Sequence, residues 1–276
     1  MRKKFYYYTA GILCLILSAL IILDSDILPF NAKEMAANAG ASGYRDYYQT
    51  DFPMPKNSLA IGTAWIPIYS MGEERHISEL LSAFDMPSAE IIEYDEYFEA
   101  HYPNETSSRK TLRIYKALDL IEYESRTKDF GKEEIDNDKA LEIADAFLHN
   151  TLLYAPPYYT EITRYSKEIK LTFARHLESL PNLAFPTYVI MDLAGNITSI
   201  SHFYFEYEAI GNADIITLKQ ALALLPKCSE HGKIHIHNYQ LVYAFEDSII
   251  VPAYRFRGQM PCGGAFEEYV NALKFK

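Results

Sequence analysis

The first two dozen residues restrict this chain more than any other part of it. Arg2, Lys3 and Lys4 precede residues 5–23, nineteen positions from Phe5 to Leu23 that carry no charge. At about 1.5 Å per residue, a helix of that length matches the ~30 Å hydrocarbon core of a bilayer, where a spanning segment must satisfy its own backbone hydrogen bonds. The expectation is a single transmembrane helix that includes Leu13. The basic cluster before it, and Asp24 and Asp26 after it, put the N-terminus in the cytoplasm and everything beyond Asp24 outside the cell membrane. Tyr6, Tyr7 and Tyr8 suit the interfacial aromatic belt. Ser18 and Ala19 offer small surface where a partner helix can approach closely. Ala37-Asn38-Ala39 has the small-residue pattern of a signal-peptidase site. It lies sixteen residues past Leu23, far for cleavage, so an uncleaved anchor is expected. Cys14 sits inside the apolar run and not after small residues at its end, which argues against a lipoprotein.

The remaining chain is long enough to bury a sizeable core. It has 276 residues, 49% hydrophobic and 14% aromatic, a composition unlike that of a disordered protein. Without its three N-terminal cations the net charge of −11 becomes −14, with 23 basic against 37 acidic residues. Such a surface repels nucleic acid, anionic headgroups and anionic wall polymers, and leaves a protein or a neutral partner. Cys228 and Cys262 fall in the exported part, where an oxidising compartment permits a bridge stabilising by roughly 3–4 kcal/mol. Two unpaired buried thiols are the other reading of the pair. No base stands near enough in sequence to make Cys262, followed by Gly263 and Gly264, a nucleophile.

Residues 27–57 are rich in Ala, Asn, Gly, Ser and Pro without a sustained period, and read as a tether. The stretch 59–69 reads as a strand interrupted at Pro67, with Trp65 in the core, and 76–84 spaces its apolar residues along one helix face. A hairpin follows over 111–124. One device then occurs twice. Ile135-Asp136 and Ile216-Thr217 each open a short helix, with Ala140-Leu141 matched by Ala221-Leu222, both pairs offset by 81 positions. Asp136 and Thr217 are the expected N-caps. Strands are expected at 169–175, 185–191 and 197–205, with a turn at 192–196 between the last two, and again at 234–245 and 249–256. Phe185-Pro186 is echoed by Val251-Pro252, and Pro252, lacking an N–H, is expected at an edge or the start of a pairing segment. The predicted fold class is α+β: a cytoplasmic N-terminus and transmembrane anchor over 1–26, then, after the tether, two related modules, 58–186 and 187–276, each an antiparallel sheet with a helix packed across it.

The sequence carries few signals of chemistry. The sequence has no Gly-rich phosphate loop, no nucleophile elbow, no His-Glu-x-x-His and no Cys-x-x-Cys, so no enzyme activity, metal or cofactor is expected. His231, His235 and His237 come nearest to a metal constellation, since alternate strand residues share a face, but no carboxylate or thiol ligand is assured close by. They read as solvent-facing histidines alternating with Ile234 and Ile236. Glu93, Asp95, Glu96 and Glu99, with Tyr94 and Tyr97, read as a solvated acidic face.

The order of elements toward the C-terminus, residues 187–200, 215–222, then Pro252-Ala253-Tyr254-Arg255 and finally Tyr269-Val270-Asn271-Ala272, resembles the YycI group of the YycH/YycI proteins. The family's typical Pro-x-Trp-Arg strand has Tyr254 here in place of Trp. The resemblance implies a non-catalytic, single-span extracytoplasmic regulator of a WalK-like (YycG) sensor histidine kinase that governs wall metabolism, acting with a YycH-like partner. The membrane helix, with Phe5, Leu13, Ser18, Ala19 and Leu23, would then contact the kinase. The general shape also resembles PepSY-like domains, which implies the alternative of an exported ligand-binding or inhibitory module.

Overall fold

The computed structural model describes residues 48–52, 61–69, 77–102, 108–116, 120–127, 133–151, 158–203, 205–226 and 232–274. The expected anchor with Phe5, Leu13, Ser18, Ala19 and Leu23, and also Cys228 and His231, lie outside the described residues. Among the described residues no helix is long and apolar enough to cross a membrane.

These residues form a mixed α+β fold of two sheets and three helices. Strands β1 (Tyr48–Thr50) and β2 (Ile61–Tyr69) come first. Helix α1 (Ile77–Ala83) is followed by β3 (Glu90–Glu93), β4 (Tyr97–His101), β5 (Ser108–Tyr115) and β6 (Leu120–Thr127). Helix α2 (Asn137–Asn150) is followed by β7 (Tyr158–Arg164), β8 (Glu168–Leu177), the two-residue β9 (Leu180–Pro181), β10 (Thr187–Asp192) and β11 (Ile197–Phe203). After β12 (Phe205–Asp214), helix α3 (Leu218–Leu224) is followed by β13 (Ile234–Glu246), β14 (Ile249–Gln259) and β15 (Ala265–Asn271). The unit is thus a helix followed by an antiparallel meander, and it occurs three times.

The first two meanders share one sheet of nine strands, ordered β3-β4-β5-β6-β11-β10-β8-β7 with β9 on β8. They join through their last strands, β6 and β11, which run antiparallel. The third meander, with β1, β2 and β12, makes the six-stranded sheet, ordered β1-β13-β14-β2-β12 with β15 on β14. The two sheets therefore divide the chain at other places than 186/187. β10 and β11 complete the first sheet, and β2 crosses into the second. Strand pairing over such separations leaves no local signature.

Each sheet buries one face under its helices. On β8, Ile169, Leu171 and Phe173 alternate inward and meet Ala140, Ala144 and Leu148 of α2 and Leu80 and Leu81 of α1. On the second sheet Ile234, Ile236, Tyr254, Phe256 and Val270 pack on Leu218, Ala221 and Leu222 of α3. A third cluster, Leu177, Tyr243 and Ile250 with Trp65, Phe185 and Tyr207 against it, joins the sheets. There the β8–β10 connection docks on β13, with Leu183 N–H donating to the Tyr243 carbonyl at 2.9 Å.

The repeated device is present as read. Asp136 accepts from Lys139 N–H at 2.8 Å, and Thr217 with Gln220 forms a capping box. The residue before each cap is hooked the same way: Ile135 N–H donates to Leu193 O just past β10, and Ile216 N–H to Ala272 O just past β15. This makes β10 equivalent to β15, each the third long strand after its helix. The Phe185-Pro186 and Val251-Pro252 echo, which would equate β10 with β14, is not topological.

One further expectation is corrected. Tyr48–Thr50, assigned to the tether, is a strand pairing in parallel with β13, and Tyr48 is buried with its hydroxyl on the Pro226 carbonyl. Three residues are too few to show a period. Pro252 lies within β14, opposite Tyr243, not at a sheet edge but directly before the pairing of β14 with β15 begins at Ala253. Its carbonyl accepts from Ala272 N–H, so its ring nitrogen faces the side where β2 takes over from β15 and no ladder donor is required.

Candidate functional site

The C-terminal residues of the family resemblance are gathered into one block by the β14/β15 register, which sets Ala253 opposite Asn271, Tyr254 opposite Val270, and Arg255 opposite Tyr269. The pleat divides them between two faces. Tyr254 and Val270 point into the core under α3, where the Tyr254 hydroxyl donates to Ile216 O at 3.0 Å. Ala272 is buried and carries the hook to Ile216 and Pro252. Asn271 donates to Glu246 at 2.6 Å and accepts from Leu273 N–H.

On the opposite face, Arg255 is only 7% exposed and donates through its two terminal nitrogens to Glu161 and Glu267, each at 2.9 Å. Arg257 pairs with the same two carboxylates. Glu161 stands on β7, the far strand of the nine-stranded sheet, so the four charges bridge the sheets and neutralise one another. Tyr269 donates to Glu267 at 2.9 Å and its ring lies against the Arg255 guanidinium. Burial pushes the Tyr269 phenol well above its ordinary value, with Arg255 opposing, so it stays a neutral donor. For Glu267, burial acts upward, but the Arg255 hydrogen bond and charge outweigh it and hold the carboxyl below the usual range. This arrangement is a charge-compensated joint between sheets.

A second cluster lies at the other end of β13. The β13/β14 ladder slips between Ile236 and Asn238, leaving His237 as the extra residue of a bulge. The rings of His235 and His237 come within 4.5 Å of each other, centroid to centroid. The carboxylate absent from the local sequence comes from Asp51, just after β1, at 2.6 Å from His235 Nε2 and 2.9 Å from His237 Nδ1. Hydrogen bonds from His237 and then His235 hold the Asp51 carboxyl below its ordinary value. The histidines face outward as expected; their shared acidic partner was missed, because it is 184 positions away from His235.

The acidic segment near residue 95 is a hairpin of β3 and β4, in which Tyr94 stacks on Tyr97. One of its carboxylates is not solvated: Glu99 is largely buried and pairs with Arg113 at 2.9 Å, whereas Glu93 stays exposed while pairing with Lys116 at 2.6 Å. An acidic groove runs between α2 and the first meander strands after it, lined by Asp138, Glu142, Asp145, Tyr158 and Phe173. Cys262 is a free, exposed thiol at the β14–β15 turn.

No protein-family model and no curated protein matches the chain. Among solved structures, the chain is similar to the C-terminal domain of Bacillus megaterium YpeB, at 14% identity and a TM-score of 0.43, over 74% of this chain and 93% of that one. It is also similar to YycH of Bacillus subtilis, at 11% identity and a TM-score of 0.47, over 78% of this chain. The match takes in 51% of the YycH chain, about half its length.

Proposed function

We propose that this chain is a non-catalytic regulator anchored in the cell membrane by residues 5–23, with its folded part outside the cytoplasm, and that it restrains a WalK-like two-component sensor histidine kinase controlling wall metabolism. It is a YycI-like protein in this reading and works beside a YycH-like partner. The observation that carries the proposal is the uncharged stretch from Phe5 to Leu23 behind three cations, joined to an acidic body whose motif residues serve structure. Tyr254, Arg255, Tyr269, Val270, Asn271 and Ala272 are each engaged in packing, hydrogen bonds or ion pairs that hold the two sheets and α3 together. That block is engaged in architecture, and in this reading the membrane helix makes the contact with the kinase.

Ser18 and Ala19 are where a partner helix would pack. Replacing both by isoleucine (S18I/A19I) is expected to weaken association with the kinase about tenfold, the equivalent of ~1.4 kcal/mol. The assay is association of the full-length proteins in the membrane, read beside expression of the kinase's target genes. Unchanged association and unchanged signalling would remove the helix contact from the account.

A further inference from the structure

We propose that Asp51, His235 and His237 form a binding site for one divalent transition-metal ion of the zinc class, which fastens β1 to β13. The three donors come from two segments remote in sequence, and their ligand atoms all lie within 4.8 Å of one another. Two features of the backbone produce this convergence. Alternation along β13 sets the rings of His235 and His237 together on the outer face, beside the bulge, and parallel pairing of β1 brings Asp51 level with them, its N–H donating to Ile236 O at 3.2 Å.

The ligand set selects the ion. Two imidazoles and one carboxylate suit zinc, cobalt or nickel, whereas magnesium and calcium require oxygen cages. With metal–ligand distances of about 2.0–2.1 Å in a tetrahedron, neighbouring ligand atoms stand roughly 3.3 Å apart. His235 meets Oδ1 of Asp51 at 2.6 Å and His237 meets Oδ2 at 2.9 Å, so a metal would replace both hydrogen bonds, with the rings and one carboxylate oxygen opening by about 0.7 and 0.4 Å from these contacts. All three side chains are a third or more exposed, so small rotations supply that opening and water can take the fourth position. The consequence is mechanical. β1 has three residues at the edge of its sheet, and it leads back toward the N-terminal part of the chain. A metal bridge would add strong bonds to a strand that three register pairs hold weakly.

The test uses the full-length protein in detergent, stripped with a chelator. Equilibrium dialysis against Zn²⁺ at neutral pH should give one saturable ion per chain, while Mg²⁺ gives none. Asp51→Asn and the double variant His235→Asn/His237→Asn should each lower zinc affinity at least about 100-fold, and His149→Asn, on α2, should leave it unchanged. Zinc should raise Tm by several degrees in the native protein and not in the site variants. Should a variant fail to fold, Co²⁺ added to the native protein gives an independent reading. Visible d–d bands without a thiolate charge-transfer band are expected. A charge-transfer band would place the ion on a cysteine and overturn the proposal. So would the absence of stoichiometric zinc binding, or its survival in the double histidine variant.

Discussion

Arg255→Ala is expected to cost the folded chain about 3 kcal/mol, measured by denaturant unfolding of the full-length protein in detergent. The figure is at the lower end of the ~3–5 kcal/mol typical when one partner of a buried ion pair is removed, because Arg257 still faces both carboxylates. Of the two arginines that reach from β14 to Glu161 on β7, the one lost is the buried one. Arg255→Lys should recover less than half of the loss, since a single ammonium cannot serve Glu161 and Glu267 from two fixed nitrogens. Acid titration supplies an independent check. Glu267 is held below its ordinary value of 4.5 in the fold, so its contribution is present above the unfolded value and is lost as pH falls through the lower folded one. In Arg255→Ala that acid-side decline should be shallower.

Gly258→Ala is expected to destabilise by about 3 kcal/mol or more, although it adds one methyl group. A Cβ at Gly258 would stand 2.0 Å from the His235 carbonyl oxygen and 2.8 Å from the His235 carbon and Ile236 Cα, all of them backbone atoms. Main chain cannot swing aside as a side-chain tip can, so β13 and β14 would have to part where the bulge draws them together. Gly211→Ala is the matched control. Nothing lies within 4 Å of its added carbon, and its effect should stay within about 0.5 kcal/mol. If the two variants unfold at the same denaturant concentration, the close approach at the bulge is not a constraint on this fold.

What could be read from the sequence follows how local each cause is. The caps at Asp136 and Thr217 reveal themselves because a cap and the N–H it satisfies are three residues apart. The turn after β10 does so because Asp192 bonds Ala194 and Asn196 within its own loop. The hairpin of β5 and β6 pairs Tyr115 with Leu120 across a short loop. The partition of strands between sheets was hidden, since β2 joins β12 across 136 positions, from Tyr69 to Phe205. Both side-chain clusters were hidden for the same reason. Arg255 finds Glu161 from 94 positions away, and no spacing rule links Asp51 to His235. The helix expected over 76–84 is α1, Ile77–Ala83, but it was not read as a further copy of the repeated unit. The motif Tyr254-Arg255 was visible as a pattern, whereas its role as a joint appears only with β7 in place.

The central claim, an anchored regulator that reaches its kinase through the membrane helix, is tested most directly by association in the membrane. The full-length protein is measured against the host's WalK-like kinase, beside a version whose residues 5–23 are replaced by an unrelated membrane-spanning sequence. The account predicts association for the native chain and its loss on replacement. Association that survives the replacement would move the contact to the folded part and favour the PepSY-like module. A native chain that associates no better than an unrelated single-span protein would contradict the account.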